Sequence, residues 1–223
     1  MSRILMLLAA GMLSTGVVAE EIRKKPLRWA KEMAEFAAAD AEHPVAPGGV
    51  VFVGSSSIRL WDLEKSFAGM DPMPLNRGFG GSVMSDTVRN AELLALKLKP
   101  RLVLVYAGDN DIANGKTAKR VAEDFAKFVA IVLRDLPDTR IAYLAIKPSL
   151  SRWKLADKMQ DANARIAKQC EENEQLTFID VWQPMLDAEG KPRGELFRKD
   201  GLHLNDEGYE LWTSIVKPVI DGK

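Results

Sequence analysis

Five short apolar runs, at positions 50–53, 73–76, 102–106, 141–146 and 177–179, recur along the chain, and between them apolar residues repeat every three or four positions. Runs that are apolar at nearly every position suit strands covered on both faces, because a strand with one wet face alternates apolar and polar residues. The intervening segments carry one-sided stripes: Val83, Thr87, Val88, Ala91, Leu94 and Leu98 in one, and Val121, Phe125, Phe128, Val132 and Leu136 in the next. Pro100 and Pro137 then act as stops. A helix is also expected over 26–41, broken by the Pro- and Gly-rich stretch 43–49. A last helix starts from Asn205 as N-cap and turns Trp212, Ile215, Val216 and Val219 inward. Such alternation predicts an α/β fold of three layers, a parallel sheet with helices on both faces.

Charge narrows the partners. The chain has 31 basic and 31 acidic residues among 223, so it lacks the broad positive field that nucleic acids attract, and no nucleic-acid partner is expected. The first nineteen residues differ from the rest: Arg3, an apolar stretch over 4–13, then Val17-Val18-Ala19 before Glu20-Glu21. This is the pattern of a cleaved export signal, and the apolar stretch is too short and too interrupted to span a bilayer. The expected organisation is a signal peptide at 1–19 and one domain at 20–223, periplasmic or secreted, with no membrane span after cleavage. Cys170 is the only cysteine, which excludes an intramolecular disulfide. It continues the helical series Leu155, Met159, Ala162, Ile166, so a buried thiol is expected.

Four segments lie where strands end. Gly54-Ser55-Ser56-Ser57 places hydroxyls at the end of the first strand, where open parallel sheets keep their active sites. A serine hydroxyl needs a base to take its proton and donors to hold an oxyanion. The chain has two histidines: His43 falls in the expected exposed linker, and His203 lies in Asp200-Gly201-Leu202-His203 ahead of the last helix. The Asp-x-x-His spacing brings the Asp200 carboxylate to the His203 imidazole within one turn of backbone. The segment 76–82, with Gly78, Gly80 and Gly81, follows the second strand and can aim backbone N–H groups at an anion. It is not a dinucleotide loop, because Val83 stands where a third glycine belongs. Gly108-Asp109-Asn110-Asp111 follows the third strand and offers an amide donor. Taken singly, each segment is equally a turn, and the acids of the last one also suit a metal, although neutral histidine ligands are scarce.

In this order the four segments resemble the blocks of the SGNH subgroup of GDSL-type hydrolases, and nearly all of the chain after the signal is similar to secreted bacterial platelet-activating-factor acetylhydrolase-like proteins. The resemblance makes Ser56 the nucleophile, with Ser55 standing where the family usually has aspartate. Asp200 and His203 match the closing Asp-x-x-His block. Backbone N–H groups of Ser56 and Gly81 and the Asn110 amide match the oxyanion hole. The same resemblance implies a flavodoxin-like sandwich with a five-stranded parallel sheet, and no metal or organic cofactor. It also implies a carboxylic ester substrate with a short acyl group, acetyl above all, on a small molecule or glycan. The α/β-hydrolase elbow G-x-S-x-G does not apply, since Ile58 replaces its last glycine. Competing expectations are a non-catalytic module that binds envelope glycans or a protein partner on the same fold, and a metal-dependent phosphoesterase. Trp61 and Trp153 are expected at core edges more than in a pocket. Arg59, Arg77 and Lys147 are expected as solvated surface charge.

Overall fold

Residues 28–222 are described in this computed structural model, and within them five strands form one parallel sheet in the order β2-β1-β3-β4-β5. The strands are β1 (Val50–Gly54), β2 (Leu75–Gly78), β3 (Leu102–Tyr106), β4 (Arg140–Leu144) and β5 (Leu176–Ile179). This is the flavodoxin-like order, in which connections leave in opposite directions from β1 and β3 and open a crevice between them. Gly54 at the end of β1 pairs with Gly78 of β2 and Tyr106 of β3, so three strands end level and their following loops emerge at one rim.

Successive side chains point to opposite faces of a strand, and both faces are covered here. Val51, Val53, Val103, Val105, Ile141 and Tyr143 face one core. The helices on that side are α1 (Ala30–Glu42), α4 (Met84–Arg89), α5 (Ala91–Leu94), α7 (Ala118–Asp135) and α8 (Ala156–Glu171). Val50, Phe52, Leu102, Leu104, Tyr106 and Leu144 face the other core, closed by α2 (Ser56–Arg59), α3 (Leu63–Ser66) and α9 (Asp206–Ile220). Trp212 of α9 is fully buried there, 5.0 Å from the Tyr106 ring and 5.4 Å from Trp61. Trp61 therefore belongs to the core, and its indole N–H donates to Ser66 Oγ at 2.9 Å. Trp153 stacks on Trp182 at 6.1 Å. Among the described residues no helix is long and apolar enough to cross a membrane.

Several expectations shift. The second strand begins at Leu75, not at 73: Pro72 and Pro74 lack the N–H that a ladder needs, and Met73 is exposed. The single helix expected through 83–98 is broken into α4, α5 and a 3-10 turn at Leu96–Leu98. At the break the Asn90 side chain donates to the Asp86 carbonyl oxygen at 2.8 Å, which also accepts the Asn90 backbone N–H at 3.1 Å. The segment after β3, expected as a loop, contains the short helix α6 (Asp109–Ala113). Arg77 is not solvated surface charge but buried in β2, paired with Asp40 of α1 and lying over the Phe36 ring at 4.8 Å. His43 is exposed, and Asn205 caps α9 by accepting from Gly208 N at 3.0 Å. The helix expected from 26 starts at Ala30, and both its first expected positions and the signal at 1–19 lie outside the described residues.

Cys170 is buried, and burial pushes its thiol up to about 11. Emptying the second core should be costly: Trp212→Ala is expected to lower unfolding free energy by about 3–5 kcal/mol. Urea titration followed by circular dichroism measures this, and a loss under about 1 kcal/mol would contradict the packing described.

Candidate active site

The rim is shaped first by backbone. Gly54 has φ 143, and a Cβ there would sit 1.9 Å from the Tyr106 carbonyl oxygen, so only glycine lets β1 close onto β3 and turn. Ser55 N then donates to that same oxygen at 3.1 Å, and the chain enters the single-turn helix α2. The turn separates the three serines. Ser55 is buried at the N-cap, and Ser57 is buried against Tyr106, with its carbonyl oxygen accepting from Tyr209 OH at 2.9 Å. Ser56, half-buried, is the one whose hydroxyl meets a histidine: Oγ lies 3.0 Å from His203 Nε2.

His203 arrives on the loop before α9, and Asp200 organises that loop. One Asp200 oxygen accepts the backbone N–H of Leu202 and of His203, each at 2.9 Å, and the other lies 2.6 Å from His203 Nδ1. An ionised carboxylate only accepts, so Nδ1 carries a proton, and in the neutral ring Nε2 presents its lone pair to the Ser56 hydroxyl. The His203 hydrogen bond foremost, with the two backbone bonds, holds the Asp200 carboxyl far below the usual carboxylate range, although the side chain is 48% exposed. A depressed carboxylate keeps its interactions above its unfolded value and loses them only as pH falls through its folded value. Asp200 is therefore ionised across the neutral and mildly acid range.

Ser56 and His203 line an open cleft of about 590 Å³ together with Arg59, Gly80, Gly81, Asn110, Arg152 and Leu202, and with Glu32 and Glu35 of α1. Gly81 has φ 79, the left-handed region that glycine favours, and its carbonyl accepts from Arg28 at 3.1 Å. Among the described residues the N–H groups of Ser56 and Gly81 donate to no protein acceptor. Asn110, in the first turn of α6, donates from Nδ2 to the Ser82 carbonyl oxygen at 3.0 Å and accepts from Arg152 at 3.1 Å.

Behind Asn110 lies a buried charge cluster. Asp109 meets Arg152 at 2.6 Å and Lys147 at 3.2 Å, and Lys147 also donates to Tyr106 OH at 3.2 Å. Burial pushes the Asp109 carboxyl up, but Lys147 and Arg152 outweigh it and hold it below its ordinary value. Asp111 points elsewhere, accepting from Met84 N at 2.9 Å and Lys116 at 2.8 Å. The two acids of this segment thus serve separate cations, and among the described residues no cluster of three or more His, Cys, Asp and Glu side chains is placed to hold a metal.

All five residues expected at the site face one cleft or touch it, since Asp200 reaches it through His203. Lys147 departs from expectation, being only 1% exposed instead of solvated. Arg152, Glu32 and Glu35 gave no signal as site residues: the glutamates sit on the polar face of an ordinary amphipathic helix. Lys147 left one trace, its position just past the apolar run that ends at Ile146.

The GDSL-like lipase/acylhydrolase family model matches residues 63–211, about two thirds of the chain, and this protein belongs to that family. The matched span holds Gly81, Asn110, Asp200 and His203 but begins after Ser56. Family membership makes the protein an ester hydrolase at that coarse level. A structure described as a platelet activating factor from Streptococcus pneumonia superposes with a TM-score of 0.79 at 21% identity, covering 93% of this chain and 100% of its own. A GDSL-like lipase from Bacteroides thetaiotaomicron gives 0.74 at 22% identity, covering 85% and 97%. An acetyl esterase mutant with acetate ion gives 0.63 at 15% identity, covering 78% and 97%. No curated protein matches the chain by sequence.

Proposed function

We propose that the protein is a serine esterase that removes short acyl groups, acetyl above all, from a small-molecule or glycan ester. The observation that carries this reading is the relay at the rim: Ser56 Oγ 3.0 Å from His203 Nε2, and His203 Nδ1 2.6 Å from Asp200. A binding module on this fold needs no such alignment of hydroxyl, imidazole and carboxylate.

In the proposed reaction Ser56 Oγ attacks the ester carbonyl carbon while Nε2 takes its proton, and Asp200 stabilises the imidazolium formed. The carbonyl oxygen becomes an oxyanion, held by the N–H groups of Ser56 and Gly81 and by the Asn110 amide. His203 returns the proton to the leaving alkoxide, the alcohol departs, and the acyl group stays on Ser56. Water then attacks that acyl carbon with His203 again as base, releasing the carboxylic acid and restoring the serine hydroxyl.

The walls of the cleft support a short acyl group. Among the described residues that line the cleft Leu202 has the only apolar side chain, and Glu32, Glu35, Arg59 and Arg152 bring charged groups to its walls. Each methylene of a longer chain gains about 0.8 kcal/mol only where it is buried, and these walls present few apolar side chains to bury it against. The acetyl esterase of the same fold is consistent with that preference. The first nineteen residues make export to the periplasm or medium part of the same proposal, with the substrate met outside the cytoplasm.

Hydrolysis of p-nitrophenyl acetate by the purified protein tests the mechanism. Ser56→Ala and His203→Ala should each lower kcat by on the order of 10⁴ or more, and wild-type turnover equal to that of either variant would refute it. A series of nitrophenyl esters tests the acyl preference: kcat/KM should be highest at two or three carbons, and a maximum at eight or more would count against it.

A further inference from the structure

The two ends of the Asn110 amide face partners of opposite kind. Arg152 Nη1 donates to Oδ1 at 3.1 Å, and Nδ2 donates to the Ser82 carbonyl oxygen at 3.0 Å. A guanidinium has only donors and a carbonyl oxygen only accepts, so these partners permit one orientation of the amide. Turning it over would set N–H against N–H on one side and oxygen against oxygen on the other. One Nδ2 proton is used by Ser82, and the second is the one left for the cleft that Asn110 shares with Ser56 and Gly81.

Arg152 is itself fixed. The nitrogen that touches Asn110 also lies 2.6 Å from Asp109 Oδ1, and the other Asp109 oxygen is taken by Lys147 at 3.2 Å. Lys147 has no exposed side-chain surface and Asp109 only 7%, so the carboxylate cannot swing out to water and carry Arg152 with it. Asp109 and Asn110 are also neighbours in sequence, so Arg152 closes a short ring from carboxylate to guanidinium to amide. That ring limits rotation of the amide about its own side-chain bonds.

We propose that Arg152 is a positioning residue for the reaction: anchored on Asp109, its guanidinium holds Asn110 with Nδ2 toward the oxyanion. The proposal rests on the esterase reading of Ser56 and His203. It gives a role to an arginine that lines the cleft yet is bonded to protein, not free for substrate, at the nitrogen described. A donor held in place before the reaction costs no reorganisation when the oxyanion forms, whereas a rotating amide must be oriented at each turnover.

The test is a double-mutant cycle on p-nitrophenyl acetate, with kcat and KM measured for wild type, Ser56→Ala, Arg152→Ala, Asn110→Ala and the Arg152→Ala/Asn110→Ala pair. Arg152→Ala should lower kcat by about tenfold to a hundredfold with KM within about twofold, since a displaced donor loses much of what a correctly placed one supplies. In the Asn110→Ala background the same change should cost less than about threefold, because the group it orients is gone. Arg152→Lys keeps a cation beside Asp109 and guards against an alanine variant that fails to fold; its smaller loss should likewise vanish without Asn110. An equal cost in both backgrounds, or an effect on KM alone, would overturn the positioning role while leaving the esterase reading intact if Ser56→Ala is inactive. Wild-type turnover no higher than that of Ser56→Ala would refute the esterase reading, and this proposal with it.

Discussion

The Asp200 carboxylate is the constraint on which the rim depends, because it does two jobs with two oxygens. One oxygen shapes the turn by accepting the N–H groups of Leu202 and His203, and the other fixes the proton on His203 Nδ1. Turn and tautomer are therefore set together, and Nε2 is left as the free lone pair in front of Ser56. The partner hydroxyl comes from 147 positions earlier, so the contact forms only when α9 has docked on the sheet and β1 has turned tightly at Gly54. The packing of Trp212 against Tyr106 and Trp61 thus belongs to the chemistry as much as to stability, since it seats the helix that His203 precedes.

The two charged arrangements at the rim work under different conditions. Asp200 and His203 are partly exposed and gain their order from close hydrogen bonds made by one short loop. Asp109 and Lys147 are buried, where an isolated charge would cost several kcal/mol, and they persist because Lys147 and the partly exposed Arg152 surround one carboxylate. Burial makes that cluster rigid in a way that a surface pair is not. In the proposed reaction the loop pair moves a proton while the buried cluster backs the residue expected to face the oxyanion.

The layer architecture was legible because the strands are covered on both faces and show as unbroken apolar runs. Apolar content alone puts the second strand two residues early, because it ignores the ladder donors that Pro72 and Pro74 lack. The break at Asn90 is not legible because the apolar stripe continues through it. At the rim, the closeness of Asp200 and His203 followed from local spacing. Which of three serines meets the imidazole did not, since that depends on how tightly the chain turns at Gly54. Lys147 and Arg152 are least legible: the carboxylate that pairs with both lies some forty positions away, and cations in such segments are ordinarily solvated.

The claim beneath this account is that the hydroxyl activated by His203 belongs to Ser56. Its most direct measurement is covalent trapping with an aryl phosphonate ester, followed by intact mass and peptide mapping. One adduct per chain is expected, on Ser56, formed at neutral pH and abolished by His203→Ala. An adduct on Ser55 or Ser57, or labelling that proceeds equally without His203, would contradict it.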